Sequence, residues 1–158
     1  MALRVVIMGV AGCGKSTVGA MLAEQLGLAY IEGDDYHPAA NRTKMAAGEP
    51  LTDADRWPWL EALVKAMAAQ EAGCVVSCSA LKRSYRDVLR QLEPRFVFLD
   101  VPAKTVLERV RQRDHFFPES LVASQFETLE PPAEIEALRV DAEALSPAAI
   151  CRSLAKQL

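Results

Sequence analysis

The sequence predicts an α/β protein: a five-stranded parallel sheet with helices on both faces. Three observations lead there. Short apolar, β-branched-rich runs alternate with amphipathic segments along the 158 residues, the order expected of successive βα units. The first run passes through a glycine-rich turn directly into a helical pattern. The stretch between the second and third runs is about forty residues, too long for a plain crossover, and is expected to form an inserted helical lobe.

The strands are expected near Arg4–Met8, Ala29–Ile31, Cys74–Cys78, Arg95–Asp100 and Ala137–Val140. Leu3 to Met8 has the continuous apolar character of a buried parallel strand, and Val18, Met21, Leu22 and Leu26 then recur at helical offsets. In the insertion, Pro38 suits a first helical position and Gly48 with Pro50 ends the segment, giving a helix from about Pro38 to Ala46 with His37, Asn41 and Lys44 on one face. Thr52 and Asp55 form an S/T-x-x-D cap. Pro58 lacks a backbone N–H and is expected to bend or restart the helix whose buried stripe is Leu60, Leu63, Val64 and Met67. After the third strand, Leu81, Tyr85, Val88 and Leu89 recur at helical spacing and put Lys82 and Arg86 on another face. A helix from about Lys104 to Arg113 carries Arg109, Arg111 and Arg113 into His115-Phe116-Phe117-Pro118, which has the character of a lid. A helix of about Glu119 to Leu129 is stopped by Pro131-Pro132, and a last one starts at Pro147. The reading is one domain over 1–158, with a substrate lobe of about 34–72 and a lid of about 111–130.

Composition narrows the partners. A net charge of −3 gives no basic field for nucleic acid or acidic membranes, which favours a small molecule. The N-terminal apolar run is broken by Arg4 and ends within ten residues, too short for a signal-peptide core or a membrane span, so a cytoplasmic protein is expected. Cys13, Cys74, Cys78 and Cys151 show neither C-x-x-C spacing nor paired histidines, which argues for core or loop thiols over a zinc site. Cys13 stands apart because it lies at a helix N-terminus, where a thiol pKa is lowered; its oxidation is expected to block nucleotide binding.

Gly9-Val10-Ala11-Gly12-Cys13-Gly14-Lys15-Ser16 is a complete G-x-x-x-x-G-K-[ST] phosphate-binding loop. Its glycines let backbone N–H groups approach a polyphosphate while the following helix directs its positive end at the same anion. The residues from Gly9 to Thr17 are thus expected to bind ATP, with Lys15 reaching the β and γ phosphates and Ser16 offering a hydroxyl to Mg²⁺. Phosphoryl transfer further needs an acceptor-facing carboxylate, cations and a closing element. Asp34, in Gly33-Asp34-Asp35 after the second strand, is the best base; the alternative is a turn or cap residue. His37 and Asn41 suit substrate hydroxyls, although His37 equally suits a helix start. Lys82 and Arg86 suit an acidic group or phosphate, or else a solvated helix face. Arg56 has the same possible role, unless it pairs with Asp53 or Asp55. The lid arginines suit transition-state charge stabilisation and exclusion of water.

These residues resemble the gluconokinase family. The resemblance rests on Gly9 to Ser16, Gly33-Asp34-x-x-His37-Pro38-x-x-Asn41, Met45 to Leu60, Cys78-Ser79-Ala80-Leu81-Lys82-x-x-Tyr85-Arg86, His115-Phe116 and Ser124-Gln125-Phe126-Glu127, and spans nearly the whole chain. It implies the P-loop kinase fold with strand order 2-3-1-4-5, ATP-dependent phosphorylation of D-gluconate at the 6-hydroxyl, and a homodimer. It further implies that Asp34 orients that hydroxyl, that Lys82 and Arg86 bind the anion, that Arg109, Arg113 and His115 belong to the lid, and that Gln125 contacts substrate or supports the lid. One departure is the third strand, which ends without an Mg²⁺-supporting aspartate; Phe96 to Asp100 has that form, but Asp100 equally suits a strand end. Competing readings are a shikimate-type or nucleoside monophosphate kinase and a nucleotide-dependent switch.

Overall fold

The computed structural model describes residues 2–112 and 118–158. Five strands, β1 (Leu3–Met8), β2 (Ala29–Glu32), β3 (Gly73–Ser77), β4 (Arg95–Asp100) and β5 (Ala137–Asp141), form one sheet in the order β2-β3-β1-β4-β5, with every pairing parallel. The β1 register runs from Leu3 opposite Gly73 to Ile7 opposite Ser77 on one side, and from Val5 opposite Arg95 to Met8 opposite Phe98 on the other. All five residues of β3 are buried, so both faces of the sheet are covered. α1 (Lys15–Leu26) packs with α7 (Pro147–Gln157), and α3 (Asp53–Ala69) packs with α4 (Arg83–Leu89). α2 (Ala39–Ala46), α5 (Ala103–Gln112) and α6 (Ser120–Thr128) complete the set among the described residues.

Several sequence expectations resolve physically. Arg4, which interrupts the first apolar run, donates to Met67 O and Gln70 O, adding a second donor to carbonyls at the end of α3 that already accept from Gln70 N–H and Gly73 N–H. Thr52 and Asp55 make the reciprocal capping box, with Asp55 N–H donating to Thr52 Oγ1 at 3.1 Å and Thr52 N–H to Asp55 Oδ2 at 2.9 Å. The expected restart at Pro58 does not occur: α3 is continuous from Asp53 to Ala69. Only the bond that Pro58 would have donated to Ala54, in the first helical turn, is lost. Asp100 pairs with Arg139 of the neighbouring β5 strand, which gives it a sheet-edge role.

Arg86 is a larger correction. Rather than facing a ligand, its side chain is fully buried, and its guanidinium donates to Ala80 O at 2.7 Å, Leu81 O at 3.1 Å, Glu130 O at 3.0 Å and the Glu136 carboxylate. The bonds to the 80–81 turn offset the cost of Ala80 in the left-handed region, at φ +46°. Burial pushes the Glu136 carboxyl up, but the Arg86 and Arg90 guanidinium groups outweigh it and hold it below the usual range. Removing one partner of such a pair strands the other. Arg86→Met is therefore expected to lower unfolding stability by about 3 kcal/mol, measured by urea denaturation.

Candidate active site

A cleft of about 330 Å³ joins the loop after β1, the turn after β2, the segment after β3 and helices α3, α5 and α6. That is the size of a small-ligand site. On the β1 side, Gly9 adopts φ +145°, and a Cβ there would fall 2.8 Å from Cys13 Sγ and 2.9 Å from Leu99 O. Its N–H donates to Ser79 O at 3.2 Å, tying the loop to the end of β3. α1 begins at Lys15 with Gly14 as an N-cap that carries no side-chain hydrogen bond, leaving its first-turn N–H groups for an anion. Lys15 Nζ donates to Val10 O at 3.1 Å, and Ala11 N–H donates to Gln125 Oε1 at 2.9 Å. Cys13 is buried at 2% exposure, which restricts the access that oxidation of its thiol needs.

On the β2 side, a 3₁₀ turn over Gly33–Tyr36 delivers Asp34 to the cleft. Gly33 is fixed by space: a Cβ there would lie 2.1 Å from Ser77 O. Trp59 Nε1–H of α3 donates to Gly33 O at 2.8 Å from the other side. Protein walls crowd the Asp34 carboxyl and desolvation raises its pKa, against the downward pull of Lys15, while 74% of the side chain is open to the cleft. Accessibility governs while water fills the cleft, so the upward push grows only when a ligand displaces that water. The result is an accessible carboxylate near the phosphate loop, pushed up by its walls and drawn down by Lys15.

His37 stacks on Trp59, with ring centroids 4.1 Å apart at 18°, and its Nε2 lies 3.8 Å from Asp34 Oδ1. Burial, reinforced by the Arg42 and Arg56 charges, pushes the His37 pKa down to about 4. Asn41 is buried behind it, with Nδ2 at 3.1 Å from His37 Nδ1 and donating to Asp55 O at 2.9 Å. Asn41 therefore sits outside the cleft wall that His37 joins.

The cations divide by their partners. Asp55 is occupied by Lys44 Nζ at 2.8 Å, and Lys44 with the Thr52 N–H holds its carboxyl down at about 2. Asp53 accepts from Tyr85 Oη at 2.5 Å and from Lys82 Nζ at 2.9 Å. Lys82 is thus engaged with Asp53 and does not line the cleft. Arg56 is left over: it donates to Tyr85 Oη at 2.8 Å, stacks over that ring at 5.1 Å, and makes no ion pair among the described residues. It lines the cleft although only 6% exposed.

Sequence reading missed Glu32. Its carboxylate accepts from Tyr30 Oη at 2.9 Å and Ser77 Oγ at 2.9 Å, and the Ser16 hydroxyl lies close enough to hydrogen-bond it and Tyr30. Burial pushes the Glu32 pKa up, but the bonds from Ser16, Ser77, Tyr30 and the Asp34 N–H prevail and hold it below the ordinary range. The signal was available: a lone acid closing an otherwise apolar strand, two residues before Asp34. A smaller cavity of about 190 Å³ adjoins the loop, lined by Gly14, Thr17, Arg109, Leu145 and Pro147. Arg109 spans it, donating to Gly12 O and Cys13 O at 3.4 Å and to Ala142 O at 3.1 Å. Arg113 and His115 lie outside the described residues.

A phosphate loop at the end of the central strand, an aspartate from the next strand end and an adjoining second cavity define a P-loop small-molecule kinase. The shikimate kinase family model matches residues 11–158. More specifically, a gluconokinase of Gluconobacter oxydans is 46% identical over 87% of this chain and 82% of its own length. The thermosensitive gluconokinase of Escherichia coli is 45% identical over 86% and 77% respectively. A crystal structure of a gluconokinase from Sinorhizobium meliloti superposes with a TM-score of 0.86 at 49% identity, covering 95% of this chain and 87% of that one. The chain belongs to the gluconokinase family.

The depressed His37 pKa gives a prediction. The unfolded chain takes up a proton near pH 6.5 that the folded protein refuses until about pH 4, so stability holds above 6.5 and falls as the pH drops through that window. Urea midpoints measured across it should decline less steeply in His37→Gln than in the parent.

Proposed function

We propose that this protein transfers the γ-phosphoryl group of ATP to the 6-hydroxyl of D-gluconate, giving 6-phospho-D-gluconate and ADP. One observation carries the reading: a single cleft holds Lys15 and Ser16, the open Asp34 carboxylate and the buried Arg56, which has no carboxylate partner among the described residues. Gluconate is a polyhydroxylated acid, so a base for one end and a cation for the other match its chemistry. Its relatives at 45–46% identity carry the gluconokinase name, which favours gluconate over the shikimate of the family model.

In this reading the N–H groups of Gly9 to Thr17 and the Lys15 ammonium hold the phosphates, and the Arg109-lined cavity takes the base of ATP. Asp34 accepts the proton of the attacking hydroxyl, or holds that hydroxyl in line. Arg56 receives the substrate carboxylate, a geometry its planar fork suits. α6, which lines the cleft through Leu121, Ser124 and Gln125, covers the site and excludes water. Mg²⁺ fits the donor set, because Ser16 and Glu32 are hard oxygens set side by side. Bound with the nucleotide, the ion supplies charge neutralisation on the phosphates. A homodimer in the cytoplasm belongs to the same proposal; among the described residues no helix is long and apolar enough to cross a membrane.

The deciding experiment is a coupled ADP assay with gluconate, shikimate, a panel of nucleoside monophosphates and a no-substrate control. Gluconate-dependent ADP release is expected, and its absence would sink the reading. Asp34→Asn should lower kcat by about 10²- to 10⁴-fold while ATP still binds. Arg56→Met should raise KM for gluconate by about 10- to 100-fold, with KM for ATP little changed.

A further inference from the structure

Asn41, in the first turn of α2, lies four residues after the extended His37, and the buried contact between them has a chemical direction. Asp55 O offers only lone pairs, so the Asn41 atom 2.9 Å from it is the amide nitrogen. The reverse orientation would set oxygen against oxygen. The same nitrogen is 3.1 Å from His37 Nδ1, so its second N–H points at the ring. Nδ1 is then the unprotonated nitrogen, and in a neutral imidazole the proton lies on Nε2. A backbone carbonyl of α3 thereby orients an amide, and the amide orients a tautomer.

The plane of the ring is held by stacking, and the Asn41 N–H selects which edge faces it. The ring is stacked on Trp59, and Trp59 is itself bonded to Gly33 O. Nε2 faces Asp34 Oδ1 at 3.8 Å, too far for a direct hydrogen bond. A substrate hydroxyl oxygen lying between them would accept from Nε2–H and donate to the carboxylate. The charged groups around the ring are Asp34 on the turn, Arg42 on α2 and Arg56 on α3. The two arginines oppose an imidazolium and the carboxylate favours one.

We infer that Asn41 is a positioning residue: it fixes His37 as a neutral Nε2–H donor beside the Asp34 acceptor, so that the pair reads a substrate hydroxyl as both acceptor and donor. The inference rests on the small-molecule kinase reading of this cleft. It assigns Asn41 a role without contact with substrate, and makes His37 a specificity element for hydroxylated acceptors.

The test is ¹⁵N-histidine NMR, made tractable because the chain has only two histidines and His37→Gln assigns them. At pH 7 the parent should show a pyridine-type Nδ1 and a pyrrole-type Nε2 for His37. Saturating gluconate with ADP should move the Nε2 resonance and leave the type of each nitrogen unchanged. In Asn41→Asp the carboxylate should draw the proton to Nδ1, with kcat/KM for gluconate falling by about tenfold and KM for ATP unchanged. A parent His37 protonated on Nδ1 or on both nitrogens, an Nε2 that ignores gluconate in an enzyme turning it over, or a folded Asn41→Asp protein with the parent's pattern would each overturn the inference. If the variant does not fold, the parent spectra still decide. Absence of gluconate turnover overturns the substrate reading instead, since the ligand-free tautomer is measured without substrate.

Discussion

The close approach of Gly33 to the Ser77 carbonyl sets the geometry on which the site depends. With no room for even a methyl group, the backbone after β2 lies directly against β3. The turn that follows is then pinned from both sides, by the sheet and by the Trp59 indole N–H. Asp34 is placed by backbone packing, before its own side chain makes any contact. Because β3 pairs with β1 through Ile7 and Ser77, the same strand that locates Asp34 also registers the phosphate loop. Donor and acceptor halves of the site thus share one rigid reference, which is what in-line transfer requires.

Charge pairing supplies the second level of order. Three carboxylates are matched to particular cations or backbone donors: Asp55 to Lys44 and its own cap, Asp53 to Lys82 and Tyr85, Glu136 to Arg86 and Arg90. Neutralising these groups locally leaves Arg56 facing the cleft on a tyrosine that is already bonded to Asp53. A cation held by a neutral hydroxyl keeps its attraction for an incoming carboxylate, which a cation in an ion pair would have largely lost. In the proposed function, selectivity for an acid follows from what the neighbouring residues are kept from doing.

The fold was legible because its signals are local: strand runs, helical offsets and the loop motif lie within short windows. Strand positions agree to within a residue or two, and the sheet order follows the resemblance. Asp34 and the loop were legible for the same reason. What was hidden depends on distant partners. Arg86 shares a helix pattern with Lys82, and nothing nearby in the sequence reveals Glu136, fifty residues on. Arg56 stood beside two carboxylates of its own segment, and only the fold shows which cations Asp53 and Asp55 take instead. Pro58 misled because the loss of its one bond to Ala54 is tolerated in a helix held by its capping box and by the burial of Trp59, Leu60 and Leu63. Glu32 was passed over as strand, although its place at the strand end beside Ser16 is what gives it chemistry.

The bond from Ala11 N–H to Gln125 Oε1 gives the phosphate loop an occupant of its own. Lys15, bonded to Val10 O, is likewise engaged within the loop. A ligand arriving there exchanges one set of hydrogen bonds for another, so its net gain is the difference between them. A polyphosphate, reaching several N–H groups and the lysine together, makes the exchange favourable. A ligand that reaches the Ala11 N–H therefore displaces a glutamine more than a hundred residues away in sequence, which couples occupancy of the loop to the position of α6.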